Sequence, residues 1–294
     1  MFKKTAIFNS GFFFVLINLL FVRMIKPLKN KPILIMGVLN VTPDSFFDGG
    51  QYVCEEQAVK QALAMQEAGA DIIDIGGEST RPGAPVVSEE EELRRVLPVI
   101  KAIRAQSEIQ ISIDTSKPGV MRDAVGAGAN IVNDVRALRE PGALDVVASL
   151  GVPVCLMHMQ GEPDVMQKLP QYESVVDEVV EYLEWQINRC LKSGIKKEQI
   201  WIDPGFGFGK SLAHNLSLLK HLSRFTQLDF PVLVGMSRKS MIGAITGAPV
   251  EERLSGSLAL AVVATMNGAS IIRAHDVKET SEVAKICAAI LAAN

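Results

Sequence analysis

Three polar residues, Asp114, Asn133 and Asp203, each follow directly on a short apolar run: Ile111-Ser-Ile113, Ile131-Val132 and Ile200-Trp-Ile202. A carboxylate or amide placed there is costly to bury unless it accepts or donates hydrogen bonds. A lysine or arginine inside the same fold would satisfy any one of them. Three together suit a ligand edge rich in N–H donors. Lys239 could donate to a carbonyl or ring nitrogen on the same ligand. Arg273 and His275 alternate along one run, so as strand residues they would point to the same face and receive an anion. A salt bridge from Arg273 to Asp276 or Glu78 is the competing structural reading.

A pterin ring has such an edge, with an exocyclic amine and ring N–H groups. His158, between Met157 and Met159, reads as a satisfied core histidine ahead of a catalytic one. The segment Asp203-Pro-Gly-Phe-Gly-Phe-Gly-Lys210-Ser211 ends like a nucleotide phosphate loop. Pro204, however, stands where the first glycine is required, so that reading fails on spacing. It reads instead as a flexible loop carrying Phe206 and Phe208, serving either to clamp a flat ligand or as a plain connection. No nucleophile elbow, metalloprotease helix motif or persuasive cysteine-histidine pair occurs, which points to noncovalent chemistry.

These residues need elements to position them. From Lys31 onward, short β-branched runs alternate with longer amphipathic segments, the pattern of βα units that build a parallel sheet. Eight strands are expected, over residues 33–39, 71–75, 110–113, 130–132, 153–157, 200–202, 231–234 and 270–272. Ser88-Glu-Glu-Glu91 has the form of a capping box, and Leu93, Val96, Leu97, Ile100 and Ile103 follow on one helical face. Gly69, Gly128, Gly151 and Gly268 stand where helices must stop before the next strand.

Every expected strand ends in polar residues: Asn40; Glu78 with Thr80 and Arg81; Asp114; Asn133 with Asp134; His158; Asp203; Ser237 with Arg238 and Lys239; Arg273 with His275. An open sheet gathers ligand groups at one switch point, whereas a closed ring collects them from many strands. The fold class is therefore α/β, a single (β/α)₈ barrel with its site at the C-terminal ends of the strands.

The 294 residues are 48% hydrophobic, and no Ser-, Gly- or Pro-rich stretch divides them, so one barrel of about 250 residues plus a tail is expected. A net charge of -3 argues against a general nucleic-acid binder. Cys54, Cys155, Cys190 and Cys287 lack metal or redox spacing and read as reduced packing residues of a cytoplasmic protein. Residues 1–30 form an apolar extension, and residues 31–294 form the barrel domain. The run from Ala6 to Val22 is interrupted by Asn9, Ser10 and Asn18 and flanked by basic residues on both sides, so no stable membrane association is expected. It reads equally as a real extension and as the product of an upstream start, with Met24 as the functional one.

Six segments together resemble the dihydropteroate synthase family: Asn40-Val-Thr-Pro-Asp-Ser-Phe46, Gly76-Gly-Glu-Ser-Thr-Arg-Pro-Gly83, Asp114-Thr-Ser-Lys-Pro118, Asp203 to Lys210, Gly235-Met-Ser-Arg-Lys-Ser240 and Arg273-Ala-His-Asp-Val277. The resemblance runs from about Ile33 to the C-terminus, and Phe47 departs from it where a small polar residue is expected. It implies that a dihydropterin diphosphate is joined to 4-aminobenzoate. Asp114, Asn133, Asp203 and Lys239 would hold the pterin, and Asn40 would ligate Mg²⁺. Arg273 and His275 would bind the diphosphate, with Lys239, Asp203 and Arg273 as the catalytic groups. Ser240 would receive the aminobenzoate carboxylate, and Phe46, Thr80, Arg81, Pro82 and Phe208 would line its entrance. The resemblance also implies a homodimer. Competing readings are a pterin-binding methyltransferase barrel, which needs no diphosphate site, and a noncatalytic paralogue, which would lack the anion and aminobenzoate residues.

Overall fold

A computed structural model describes residues 33–42, 50–79, 85–161 and 170–293. The expectations placed on residues 1–30, including Met24, and on Phe46, Phe47, Thr80, Arg81 and Pro82 lie outside the described residues, as does the side chain of Cys54. From Ile33 to Asn294 the chain is one compact unit.

Eight parallel strands alternate with helices: β1 (Leu34–Asn40), α1 (Gly50–Glu67), β2 (Ile72–Gly76), α2 (Glu89–Arg104), β3 (Gln110–Asp114), α3 (Pro118–Ala127), β4 (Ile131–Asp134), α4 (Ala143–Leu150), β5 (Val154–Met157), α5 (Val175–Lys192), β6 (Ile200–Asp203), α6 (Leu212–Lys220), α7 (Ser223–Thr226), β7 (Leu233–Val234), α8 (Ser240–Thr246), α9 (Leu254–Met266), β8 (Ile271–Ala274) and α10 (Val277–Ala292). The strands pair in the order β6-β5-β4-β3-β2-β1-β8-β7. A bridge between Ile202 and Val232 then joins β6 to β7 and completes the ring. Strand β7 is shorter than expected, because Pro231 has no N–H to give; its carbonyl instead accepts from Ile202 N at 2.9 Å.

Side-chain alternation divides each strand between two environments. Met36, Ile72, Ile131, Cys155, Trp201, Leu233 and Ile271 point inward and fill the barrel floor as one apolar cluster. Their neighbours Ile35, Ile73, Val132, Val154, Ile202 and Ile272 point outward into the larger core shared with the helices. The four joint glycines all take positive φ, between 66° and 120°. At Gly128 the φ of 120° stops α3, and Ala129 N then bonds back to Ala124 O, so β4 starts within three residues.

Helix α2 forms where its pattern places it, with Val96, Val99, Ile100 and Ile103 buried. Its capping box is only half present. Ser88 Oγ accepts from Glu91 N at 3.2 Å, but the Glu91 carboxylate turns to Arg94 and Arg95, at 2.7 and 2.8 Å.

Candidate active site

Two residues beyond the apolar floor, on the same inward face, the strands carry polar groups: Asp74 after Ile72, Asn133 after Ile131, Asp203 after Trp201 and Arg273 after Ile271. One register line, Asn40 to Gly76 to Asp114 to Asn133, crosses β1, β2, β3 and β4 at the same mouth. Sequence inspection named these residues except Asp74, which is completely buried in the middle of Ile-Ile-Asp-Ile-Gly. A charged residue inside an otherwise apolar strand was the available signal.

Arg273 crosses the ring. Its Nε donates to Asp74 Oδ2 at 2.6 Å and its Nη2 to Asp114 Oδ2 at 2.8 Å. Neither partner is one of those expected. Asp276 instead receives Arg238 in a two-pronged contact at 2.9 and 2.5 Å. Glu78 receives Lys117 Nζ at 2.5 Å and Val87 N at 2.9 Å. Asn133 Nδ2 donates to Asp74 Oδ2 at 3.1 Å, while Asp74 Oδ1 and the neighbouring Ser112 Oγ are buried with no hydrogen-bond partner among the described residues. Asp134, grouped with Asn133 from sequence, faces the other way. It accepts from Ser116 Oγ, Arg136 N and Leu138 N, which fixes the loop after β4.

Three inward carboxylates, Asp74, Asp114 and Asp203, face two cations, Arg273 and Lys239, so acceptor groups outweigh donors at the mouth. Burial, with repulsion from Asp74, pushes the Asp114 carboxyl up to about 7 against the pull of Arg273. Burial also raises Asp203, opposed by Lys239 and by the 2.7 Å bond from Gly205 N to its Oδ1. Burial lowers Lys239 to about 8, against the attraction of Asp203. Burial works against the Arg273 charge as well, yet Asp74 and Asp114 hold that guanidinium more firmly protonated than usual.

The loop after β6 is packed down on the barrel. Phe206 is fully buried in the core, so it is unavailable to a ligand, and Phe208 packs partly buried on Val135, Met157 and Met159. Lys239 Nζ donates to the Phe206 carbonyl and lies 4.7 Å from the centre of the Phe208 ring. His158 is buried, edge-on to Tyr182 at 4.8 Å, with Nδ1 2.9 Å from Lys210 Nζ. Burial and the Lys210 charge lower it to about 2, so the ring is neutral and Nδ1 is the acceptor.

At the last two strands, β8 ends at Ala274 and His275 stands just past it, exposed, its Nδ1 3.1 Å from Ser237 Oγ after β7. Arg238 holds φ at 57°, between Ser237 and Lys239. Its backbone N donates to Ser257 Oγ at 2.9 Å and its carbonyl accepts from Arg253 Nη1 at 3.1 Å, so this left-handed turn is fastened on both sides. Ser240 opens α8, with Lys239 in extended backbone before it. The mouth therefore joins an N–H-accepting floor, the half-buried Lys239 and a polar rim of Asn40, Ser237 and His275.

A polar cradle built from many strand ends of a parallel (β/α)₈ barrel stands where enzymes of this fold keep their active sites. The sequence model of the pterin binding enzyme family matches residues 36–275. The dihydropteroate synthase of Escherichia coli strain K12 is 58% identical over 259 residues, 88% of this chain and 92% of that protein. Two solved structures are similar. The Yersinia pestis dihydropteroate synthase in a sulfonamide drug complex has a TM-score of 0.85 and 52% identity, over 89% of this chain and 95% of that one. The Xanthomonas albilineans dihydropteroate synthase with 4-aminobenzoic acid has a TM-score of 0.85 and 50% identity, over 91% and 95%. The chain belongs to the pterin-binding enzyme family, and within it to the dihydropteroate synthases.

Proposed function

We propose that the barrel mouth joins (7,8-dihydropterin-6-yl)methyl diphosphate to 4-aminobenzoate, releasing diphosphate and 7,8-dihydropteroate, the transferase reaction of the family to which the chain belongs. The observation that carries this is the convergence of Asp114, Asn133, Asp203 and Lys239 on one buried mouth. The carboxylates accept the pterin amine and ring N–H groups, and Lys239 donates to its carbonyl or ring nitrogen.

In the reaction the methylene C–O bond breaks, the electron pair leaves with diphosphate, and the methylene cation is delocalised onto the dihydropterin ring. The neutral aryl amine attacks, the new C–N bond forms, and the resulting ammonium passes one proton to water or to the released diphosphate. No general base is needed to make that amine nucleophilic. The protein contributes fixed charges and orientation. The carboxylates of Asp114 and Asp203, in their ionised forms, stabilise the cation. Arg273 has two of its five N–H groups on Asp74 and Asp114, so it sits between the pterin floor and the diphosphate at Ser237 and His275. Ser240, at the start of α8, receives the aminobenzoate carboxylate, and Phe208 lines the approach.

Mg²⁺ belongs to the same proposal. Its preference for a few protein oxygens plus substrate phosphates and water fits the single amide oxygen of Asn40, which faces Asp114 across Gly76. When bound, the ion spreads the charge developing on the leaving group. The test is to give purified protein both substrates with Mg²⁺ and detect dihydropteroate and diphosphate in equal amounts. Diphosphate release without aminobenzoate would instead mark a hydrolase, and methyl transfer with no diphosphate would favour the methyltransferase reading.

A homodimer is proposed through adjacent helices α9 and α10. Val262, Val263 and Met266 on the first and Ile286, Ile290 and Leu291 on the second are exposed apolar residues in need of cover. Light scattering should give twice the chain mass of 31.9 kDa. The monomer mass would remove this part of the proposal. A cytoplasmic location rests on the family resemblance and on buried, free Cys155, Cys190 and Cys287. Among the described residues, no helix is long and apolar enough to cross a membrane.

A further inference from the structure

Lys210 is a buried, ionisable group that the proposed reaction does not use, at 3% exposure. A lysine so enclosed must have its ammonium satisfied. Its three N–H groups are shared among four acceptors around Nζ: the carbonyls of Gly205 and Phe208 at 2.9 Å, that of His158 at 3.2 Å, and His158 Nδ1 at 2.9 Å. Two of them lie on the segment after β5 and two on the loop after β6, so one ammonium staples two neighbouring strand ends together.

The backbones are in contact at the same place. A Cβ on Gly205 would come within 1.8 Å of His158 O, and one on Gly209 within 2.4 Å of Gln160 O. Both glycines hold positive φ, 71° and 62°. Tyr172 adds its hydroxyl to Gly209 O at 2.9 Å. The stapled loop presents two things to the site: the Phe206 carbonyl that receives Lys239, and the Phe208 ring beside the same ammonium. Gly207, between them, leaves room for Lys239, whose Cδ would lie 3.2 Å from an added Cβ.

We infer that Lys210 is a positioning residue for the pterin site, acting through the loop after β6 to fix Lys239 and Phe208 where the pterin binds. The inference rests on the function proposed above. An ammonium suits the place because its hydrogens can turn toward acceptors crowded around one point. A planar guanidinium fork cannot, so arginine should not replace it.

The test compares the parent with Lys210→Met and Lys210→Arg, titrating a non-reacting pterin and, separately, inorganic diphosphate by calorimetry. Partners that orient metal ligands typically contribute about 10- to 100-fold, and by analogy a loss of about that size is expected for pterin in both variants. Diphosphate affinity should stay within about twofold, because Ser237 and His275 are held by β7 and β8. Pterin affinity unchanged in a folded variant would overturn the inference, and so would parallel loss of both ligands, which marks a merely structural role. A parent that binds no pterin would overturn the site reading and the inference with it. If neither variant folds, hydrogen exchange in residues 204–209 of the parent decides. Protection supports the staple, and exchange at the rate of open coil overturns it.

Discussion

Arg273 Nε and Asp74 Oδ2 lie 2.6 Å apart although 199 residues separate them, and this contact ties the last strand of the barrel to the second across its interior. Asp74 also receives Asn133, so one carboxylate orients both a cation and an amide of the pterin floor. Asp74→Asn should therefore destabilise the protein by about 1.5–3 kcal/mol, the worth of a hydrogen bond to a charged group. Arg273 keeps Asp114, which limits the loss. Denaturant unfolding measures it, and a midpoint unchanged from the parent would mean that the contact holds nothing.

The pH dependence of pterin affinity follows from two buried groups. Asp114, raised to about 7, must be ionised to accept N–H bonds, so affinity should fall as the pH drops through that value. Lys239, lowered to about 8, must be protonated to donate, so affinity should fall again as the pH rises through it. A maximum between the two limbs is expected in titrations from pH 5.5 to about 9.5. Asp74→Asn should move the acid limb downward, because repulsion from Asp74 helps to raise Asp114. The stability of the ligand-free protein has the opposite sense. The Asp114 contribution is full below its ordinary 3.8 and is lost as pH rises through about 7, and that of Lys239 is full above 10.5 and is lost as pH falls through about 8.

The two phenylalanines of the β6 loop should separate stability from binding. Phe206→Ala empties a fully buried position and should cost about 3–5 kcal/mol of stability. Phe208→Ala removes a partly buried ring beside Lys239, so it should cost less stability and more ligand affinity. Thermal melts and 4-aminobenzoate titrations on both variants check this, and equal effects on both properties would remove the distinction.

Much of the fold was legible because the strands of a parallel barrel are buried on both faces and read as short β-branched runs between glycine joints. Asp114, Asn133 and Asp203 were legible for the same reason: they close those runs. Asp74 was not, because it lies inside its run, and only side-chain alternation above the apolar floor reveals that it faces the mouth. The partners of Arg273 were misjudged because ring closure, which no local pattern encodes, brings β2 and β3 within reach of β8. Lys210 was read as the end of a loose glycine-rich loop, since its four acceptors come together only when the segment after β5 lies alongside.

The central claim is that the inward carboxylates bind pterin while the rim at β7 and β8 binds diphosphate, and Asp203→Asn tests it most directly. Calorimetry with each ligand alone should find pterin binding weakened by about 1.5–3 kcal/mol, roughly 10- to 150-fold, if the lost charge accepted pterin N–H groups. Diphosphate binding should be unchanged. Equal weakening of both ligands, or pterin binding as tight as in the parent, would contradict the assignment of the site.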